Sequence, residues 1–103
     1  MTIYNKLVRD RIPEIMEAAG KKFTVRYIDD GYEKRSYLKR KLVEEADEFL
    51  SNPSIEELAD VQEVIFALAT SLGYARGDLE AARESKKAQR GAFNDNCILE
   101  EVL

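Results

Sequence analysis

Two long helical stretches separated only by Asn52-Pro53-Ser54 constrain this chain more than any other feature. In the first, from about Tyr32 to Leu50, the residues Leu38, Leu42, Ala46 and Phe49 recur at helical spacing and form one apolar stripe. The second starts after the break and runs to about Leu72, where Gly73 stops it. Proline tends to end a helix at the residue before it, and a connection of three residues makes the two helices antiparallel neighbours. Any fold this chain adopts is therefore built on a helical hairpin.

The flanking segments add smaller pieces. Asp10 is placed to cap a short helix that carries Pro13 in its first turn and ends at Gly20. Lys22–Ile28, rich in β-branched and aromatic residues, reads as a short strand. A fourth helix spans roughly Arg76–Gln89, with Asp78 near its start and Lys86, Lys87 and Arg90 near its end, as the helix dipole favours. Cys97–Val102 reads as a second strand able to pair with the first. The expected fold is a single domain over residues 1–103, mainly α. It is a bundle of about four helices built on the antiparallel hairpin, with a small two-stranded sheet from residues 22–28 and 97–102.

Composition excludes several functions. The chain has no histidine, so no histidine base, nucleophile partner or zinc ligand is available. A net charge of -4 argues against a general nucleic-acid binder, which would need a basic footprint. No apolar run reaches the roughly 20 residues of a membrane-spanning helix. A single cysteine, Cys97, and the lack of a signal-like start point to a reducing, cytoplasmic interior. Val61, Val64, Ile65, Phe66, Ala67, Leu68, Ala69 and Leu72 leave the second hairpin helix apolar on nearly every face. Such a helix is buried on more than one side, so a homo-oligomer, dimer or tetramer, is expected through Val61–Leu72.

The hairpin also carries two matched pairs of carboxylates. Glu45 and Glu48 stand three apart, as do Glu57 and Asp60, and residues three apart are neighbours on a helix surface. Glu48 and Glu57 flank the same turn, with Glu45 and Asp60 one step further along each helix. Four like charges at one place need a cation among them, and a hard divalent ion such as Mg2+, with Mn2+ as a substitute, prefers oxygen ligands. Each acid has a plainer role open to it. Glu44, Glu45, Asp47 and Glu48 can form a solvated face, and Ser54-Ile55-Glu56-Glu57 matches a capping box in which Glu57 serves the helix start. Asp60 is the hardest to explain that way, because it enters a helix that becomes almost wholly apolar and a half-buried carboxylate needs a partner. Lys6, Arg9 and Arg11 near one end of the chain, and Lys86, Lys87 and Arg90 near the other, supply the cations that phosphate recognition uses.

Glu44-Glu45-Ala46-Asp47-Glu48 followed by Glu57-Leu58-Ala59-Asp60 resembles the EExxE…ExxD signature of MazG-like, all-α nucleoside triphosphate pyrophosphohydrolases. Tyr4 to Pro13, YNKLVRDRIP, looks like the opening of the small single-domain, phosphoribosyl-ATP pyrophosphohydrolase-like branch, and Lys86 to Phe93, KKAQRGAF, is similar to its K…RGGF segment. The resemblance covers nearly the whole chain. Two departures stand out: only eight residues separate Glu48 from Glu57, fewer than is usual, and Ala92 replaces a common second glycine.

The resemblance implies that Glu45, Glu48, Glu57 and Asp60 ligate Mg2+ and that Glu44 or Glu45 orients the attacking water. Lys6, Arg9, Lys86 and Arg90 are the candidates for triphosphate contacts. It implies hydrolysis of the α–β phosphoanhydride of a nucleoside triphosphate, giving monophosphate and pyrophosphate and clearing non-standard nucleotides. Two alternatives stand beside it: the phosphoribosyl-ATP pyrophosphohydrolase of histidine synthesis, and a non-catalytic helical oligomerisation or binding module. Tyr4, Tyr37 and Phe93 could stack on a base, with simple packing as their plainer role.

Overall fold

The computed structural model describes all 103 residues and contains four helices and no strand. They are α1 (Ile12–Ala18), α2 (Gly31–Ser51), α3 (Ile55–Ser71) and α4 (Arg76–Arg90). The hairpin forms as its sequence requires, with α2 lying along α3. Asp30 caps α2 by accepting the Tyr32 N–H at 3.2 Å, and Ser54 caps α3 by accepting the Glu57 N–H at 3.2 Å. Asn52 ends α2 as its C-cap, its N–H bonded to the Glu48 carbonyl. At the open end of the hairpin, the Arg35 guanidinium donates to the Ser71 carbonyl at 2.7 Å and ties the start of α2 to the end of α3.

Leu38 of α2 and Val64 and Ala69 of α3 are the only buried apolar residues. Burying a leucine or valine side chain contributes about 1.5–3 kcal/mol, so the hairpin carries most of the packing this chain achieves. A half-buried fringe of Leu42, Ala46, Phe49, Val61, Phe66 and Leu68 extends it. α4 meets only α3 and is held at its start by the Asp78 carboxylate, which accepts the Ala75 N–H at 2.8 Å. α1 brings its backbone alongside none of the other helices. No helix is long and apolar enough to cross a membrane.

Two expectations are corrected. The sheet is absent: residues 22–28 and 97–102 are both extended and largely exposed, and no backbone hydrogen bond joins them. A strand needs a ladder partner for its N–H and C=O groups, and neither segment has one. Asp10 also does not cap α1, whose N-cap position falls to Arg11 without a side-chain bond. The glycine stops do hold, with Gly20 and Gly73 at positive φ just past helix ends, where an L side chain would be strained.

Candidate metal centre

α2 supplies Glu44, Glu45 and Glu48, and α3 supplies Glu57 and Asp60. They form two groups, Glu44–Glu45–Glu48 and Glu45–Glu57–Asp60, within each of which one oxygen per residue lies within 4.8 Å of the others. Glu45 belongs to both. The hairpin register therefore brings all four expected metal ligands, and Glu44, to one place.

Glu45 is 7% exposed and is the only buried charged residue in the chain. Its Oε1 lies 3.2 Å from Lys41 Nζ, while its Oε2 is buried with no hydrogen-bond partner. Glu57 Oε2 is in the same condition. A buried acceptor left unpaired costs about 1–3 kcal/mol, so two such oxygens facing one cluster need an explanation. The capping box does not supply it. Glu57 uses its backbone N–H on Ser54, but its carboxylate does not take the reciprocal bond from the Ser54 N–H. Its side chain is free for another role.

The remaining charges are partly balanced by cations. Glu44 Oε1 accepts from Lys6 at 3.1 Å and from Lys41 at 3.3 Å. Burial pushes the Glu44 carboxyl up, but the hydrogen bonds from Lys6 and Lys41 outweigh it and hold the group below its ordinary range. The same bond to Glu44, and the charge of Glu44, raise Lys6. Asp60 accepts from Arg9 at 2.6 Å, a contact that spans 51 residues of sequence. Glu48 has no cation. Its hydrogen-bonding contact with Glu45 and the negative charge of Glu45 push its carboxyl above the usual range, with smaller contributions from burial, Glu57 and Glu44. Crowded carboxylates hold on to a proton in this way when no cation separates them.

Of the residues expected to hold phosphate, Lys6 and Arg9 reach the cluster, carried there by the segment before α1. Lys86 and Arg90 do not join it: both are exposed on α4, and their side chains enter no ion pair or hydrogen bond. Among the aromatic candidates, Tyr37 is already flanked by Arg40 and Arg26, at 4.6 and 5.9 Å from its ring centre. Phe93 is fully exposed, and Tyr4 lies 5.7 Å from Lys6. Lys41 is the residue that the sequence reading missed. Its position three before Glu44 and four before Glu45 was the available signal, since those spacings put side chains side by side on a helix.

The donor set is all carboxylate oxygen, drawn from two rigid helices, with two buried oxygens unpartnered. That suits a hard divalent cation such as Mg2+. Comparison of the chain with protein-family models, with curated proteins and with solved structures returned no match.

Proposed function

We propose that this chain is a Mg2+-dependent nucleotide pyrophosphohydrolase that splits the α–β phosphoanhydride of a nucleoside triphosphate. The observation that carries the reading is Glu45, buried at the junction of the two carboxylate groups with one oxygen unpaired. The MazG-like pattern of motifs supports the same reading. Glu45, Glu48, Glu57 and Asp60 would hold the ion. When bound, it supplies charge neutralisation for the phosphates, a more acidic water and a steadied leaving group.

The chain's own residues supply the rest. Glu44 takes both lysine contacts on Oε1, which leaves Oε2 without a partner. Because its carboxyl is held below the ordinary range, Glu44 stays ionised near neutral pH and can accept a hydrogen bond from a water, orienting it toward the α-phosphorus. As water adds there, the bond from phosphorus to the bridging oxygen breaks, and that oxygen leaves with pyrophosphate. Lys6 and Arg9 stand on the carboxylates at the mouth of the cluster. Changing partners to phosphate oxygens would give them the positioning and charge-stabilising work on which phosphoryl transfer depends.

The test is pyrophosphate release from a broad panel of canonical and modified nucleotides in the presence of Mg2+. Release from at least one, lost in Glu48→Gln, is the expected result. Silence across the panel would remove the catalytic claim.

A second reading is favoured by Lys41, Lys6 and Arg9. These three cations already sit on Glu44, Glu45 and Asp60, and so can serve a purely structural charge network. Thermal melts separate the two readings. A cation that binds the native state raises Tm with its concentration, whereas a satisfied network leaves Tm indifferent to millimolar Mg2+.

A further inference from the structure

Two of the clustered acids are neighbours in sequence, and a helix ordinarily keeps such neighbours apart. Successive residues lie about 100° apart around the helix axis and do not face each other. Glu44 and Glu45 nevertheless bring oxygens within 4.8 Å of one another. Lys41 stands three residues before the first and four before the second, the two spacings from which one side chain can meet both. Its Nζ lies 3.3 Å from Glu44 Oε1 and 3.2 Å from Glu45 Oε1. One ammonium thus draws the near oxygens of both carboxylates to itself. Glu45 Oε2 is left buried and unpaired, and Glu44 Oε2 is left without a partner.

Exposure separates Lys41 from the other cations at the site. Its side chain is 14% exposed, against 45% for Lys6 and 55% for Arg9. Lys6 and Arg9 come from the segment before α1, and α1 itself lies alongside no other helix. Both can therefore leave the acids for a phosphate. Lys41 is set in the body of α2 and stays where it is. An ammonium this far out of water needs its charge matched on the spot, and Glu44 and Glu45 are the carboxylates within ion-pair distance. Burying such a group is seldom a gain in stability over an apolar side chain of similar size. Its two contacts call for another reason.

We propose that Lys41 is a positioning residue of the site, an inference that rests on the Mg2+-dependent reading given above. By gripping Oε1 of both acids, it assigns their opposite oxygens to two separate tasks. Glu45 Oε2 is left for the cation and Glu44 Oε2 for the attacking water. Oxygens fixed in this way need no reorientation when the reaction begins, and a support one step removed from the chemistry raises its rate by that route. Lys41 itself touches neither the phosphates nor the water. It is also a positive charge beside the ligands of a cation, so it opposes cation affinity while it improves alignment. A residue that only held the fold would affect binding and turnover together. Lys41 divides them.

Lys41→Met, which removes the ammonium and keeps most of the stem, tests this. Its kcat for pyrophosphate release is expected to fall about 10–100-fold, with KM for the nucleotide unchanged. Mn2+ binding without nucleotide, read from the electron paramagnetic resonance of the free ion, is expected to be as tight as in the wild type or tighter. Lys41→Arg, which keeps the charge and offers two donors, is expected to recover part of kcat. Should Lys41→Met lose its helical circular dichroism, Lys41→Gln gives the same reading. A folded Lys41→Met protein with the kcat of an active wild type overturns this inference and leaves the reading of the site intact. So does a parallel fall in Mn2+ affinity and kcat, which would make Lys41 a purely structural residue. A wild type that neither binds Mn2+ nor releases pyrophosphate from any nucleotide overturns the reading of the site, and this inference with it.

Discussion

The two sides of the α2–α3 hairpin are built from the same forty-one residues and differ in almost every physical respect. One side gathers Glu44, Glu48 and Asp60 around Glu45 and leaves buried oxygens unpaired. The other presents Val43, Leu50, Ile55, Leu58 and Ile65 to solvent. Both are unsatisfied, one in charge and the other in apolar area. A pair of helices with a core as small as Leu38, Val64 and Ala69 has little stability to spare.

The sharpest way to break this contrast is to change Glu45. Glu45→Gln should lower pyrophosphate release at least about 100-fold, since even changes one shell out from a metal reach that range. It should also abolish the rise of Tm with Mg2+ while leaving the mass of the particle unchanged.

Leu38→Ala strikes the seam that both sides share. A buried leucine truncated to alanine costs about 2–5 kcal/mol, so chemical denaturation should show a large loss of stability, with the Mg2+ response weakened alongside it. A loss below about 1 kcal/mol would mean that the hairpin draws its stability from elsewhere.

Arg9→Ala gives a smaller and two-signed effect. Its ion pair with Asp60 is partly exposed, and such pairs are worth up to about 1 kcal/mol. Freed of that competitor, Asp60 should let the protein bind Mg2+ alone up to about fivefold more tightly by calorimetry. The same variant should raise KM for the nucleotide, because the phosphates lose a guanidinium. A KM that stays the same or falls would separate Arg9 from the phosphate role.

The smallest effect is in pH. Glu48 is held above its unfolded value by its contact with Glu45 and by that residue's charge. A raised carboxyl stabilises the fold fully below the ordinary glutamate value of about 4.3, and that contribution is lost as pH rises through the higher folded value. Without a divalent ion, Tm of the wild type should therefore slip relative to Glu48→Gln as pH climbs above that value. With Mg2+ the sign reverses, because ligation requires the deprotonated carboxylate. A wild type that tracks Glu48→Gln at every pH, with and without the ion, would show that the two carboxyls do not share a proton.

Much of the hairpin was legible because its signals are local. Asn52-Pro53 stops one helix, Ser54 caps the next, and the stripe through Leu38 and Leu42 fixes which flank turns inward. The carboxylate cluster was legible for the same reason, since three-residue spacing on two antiparallel helices leaves the side chains little choice of place. Segments whose structure depends on a distant partner were not legible. Lys22–Ile28 and Cys97–Val102 have the residues of strands and no neighbour to pair with. Lys86 and Arg90 sit on a helix that meets only α3, and nothing in their spacing said where that helix would point.

Sequence alone determined the helices, the turn that folds them together and the acids that meet beside it, because each follows from periodicity, capping and chain stiffness. Only the tertiary structure decided that Glu45 is buried with an oxygen unpaired and that Glu57 is released from its cap. It also brought Lys6 and Arg9 back across the chain to the acids and left the opposite flank bare. Those outcomes depend on which side chains exclude water from which others, and that is settled by packing in three dimensions.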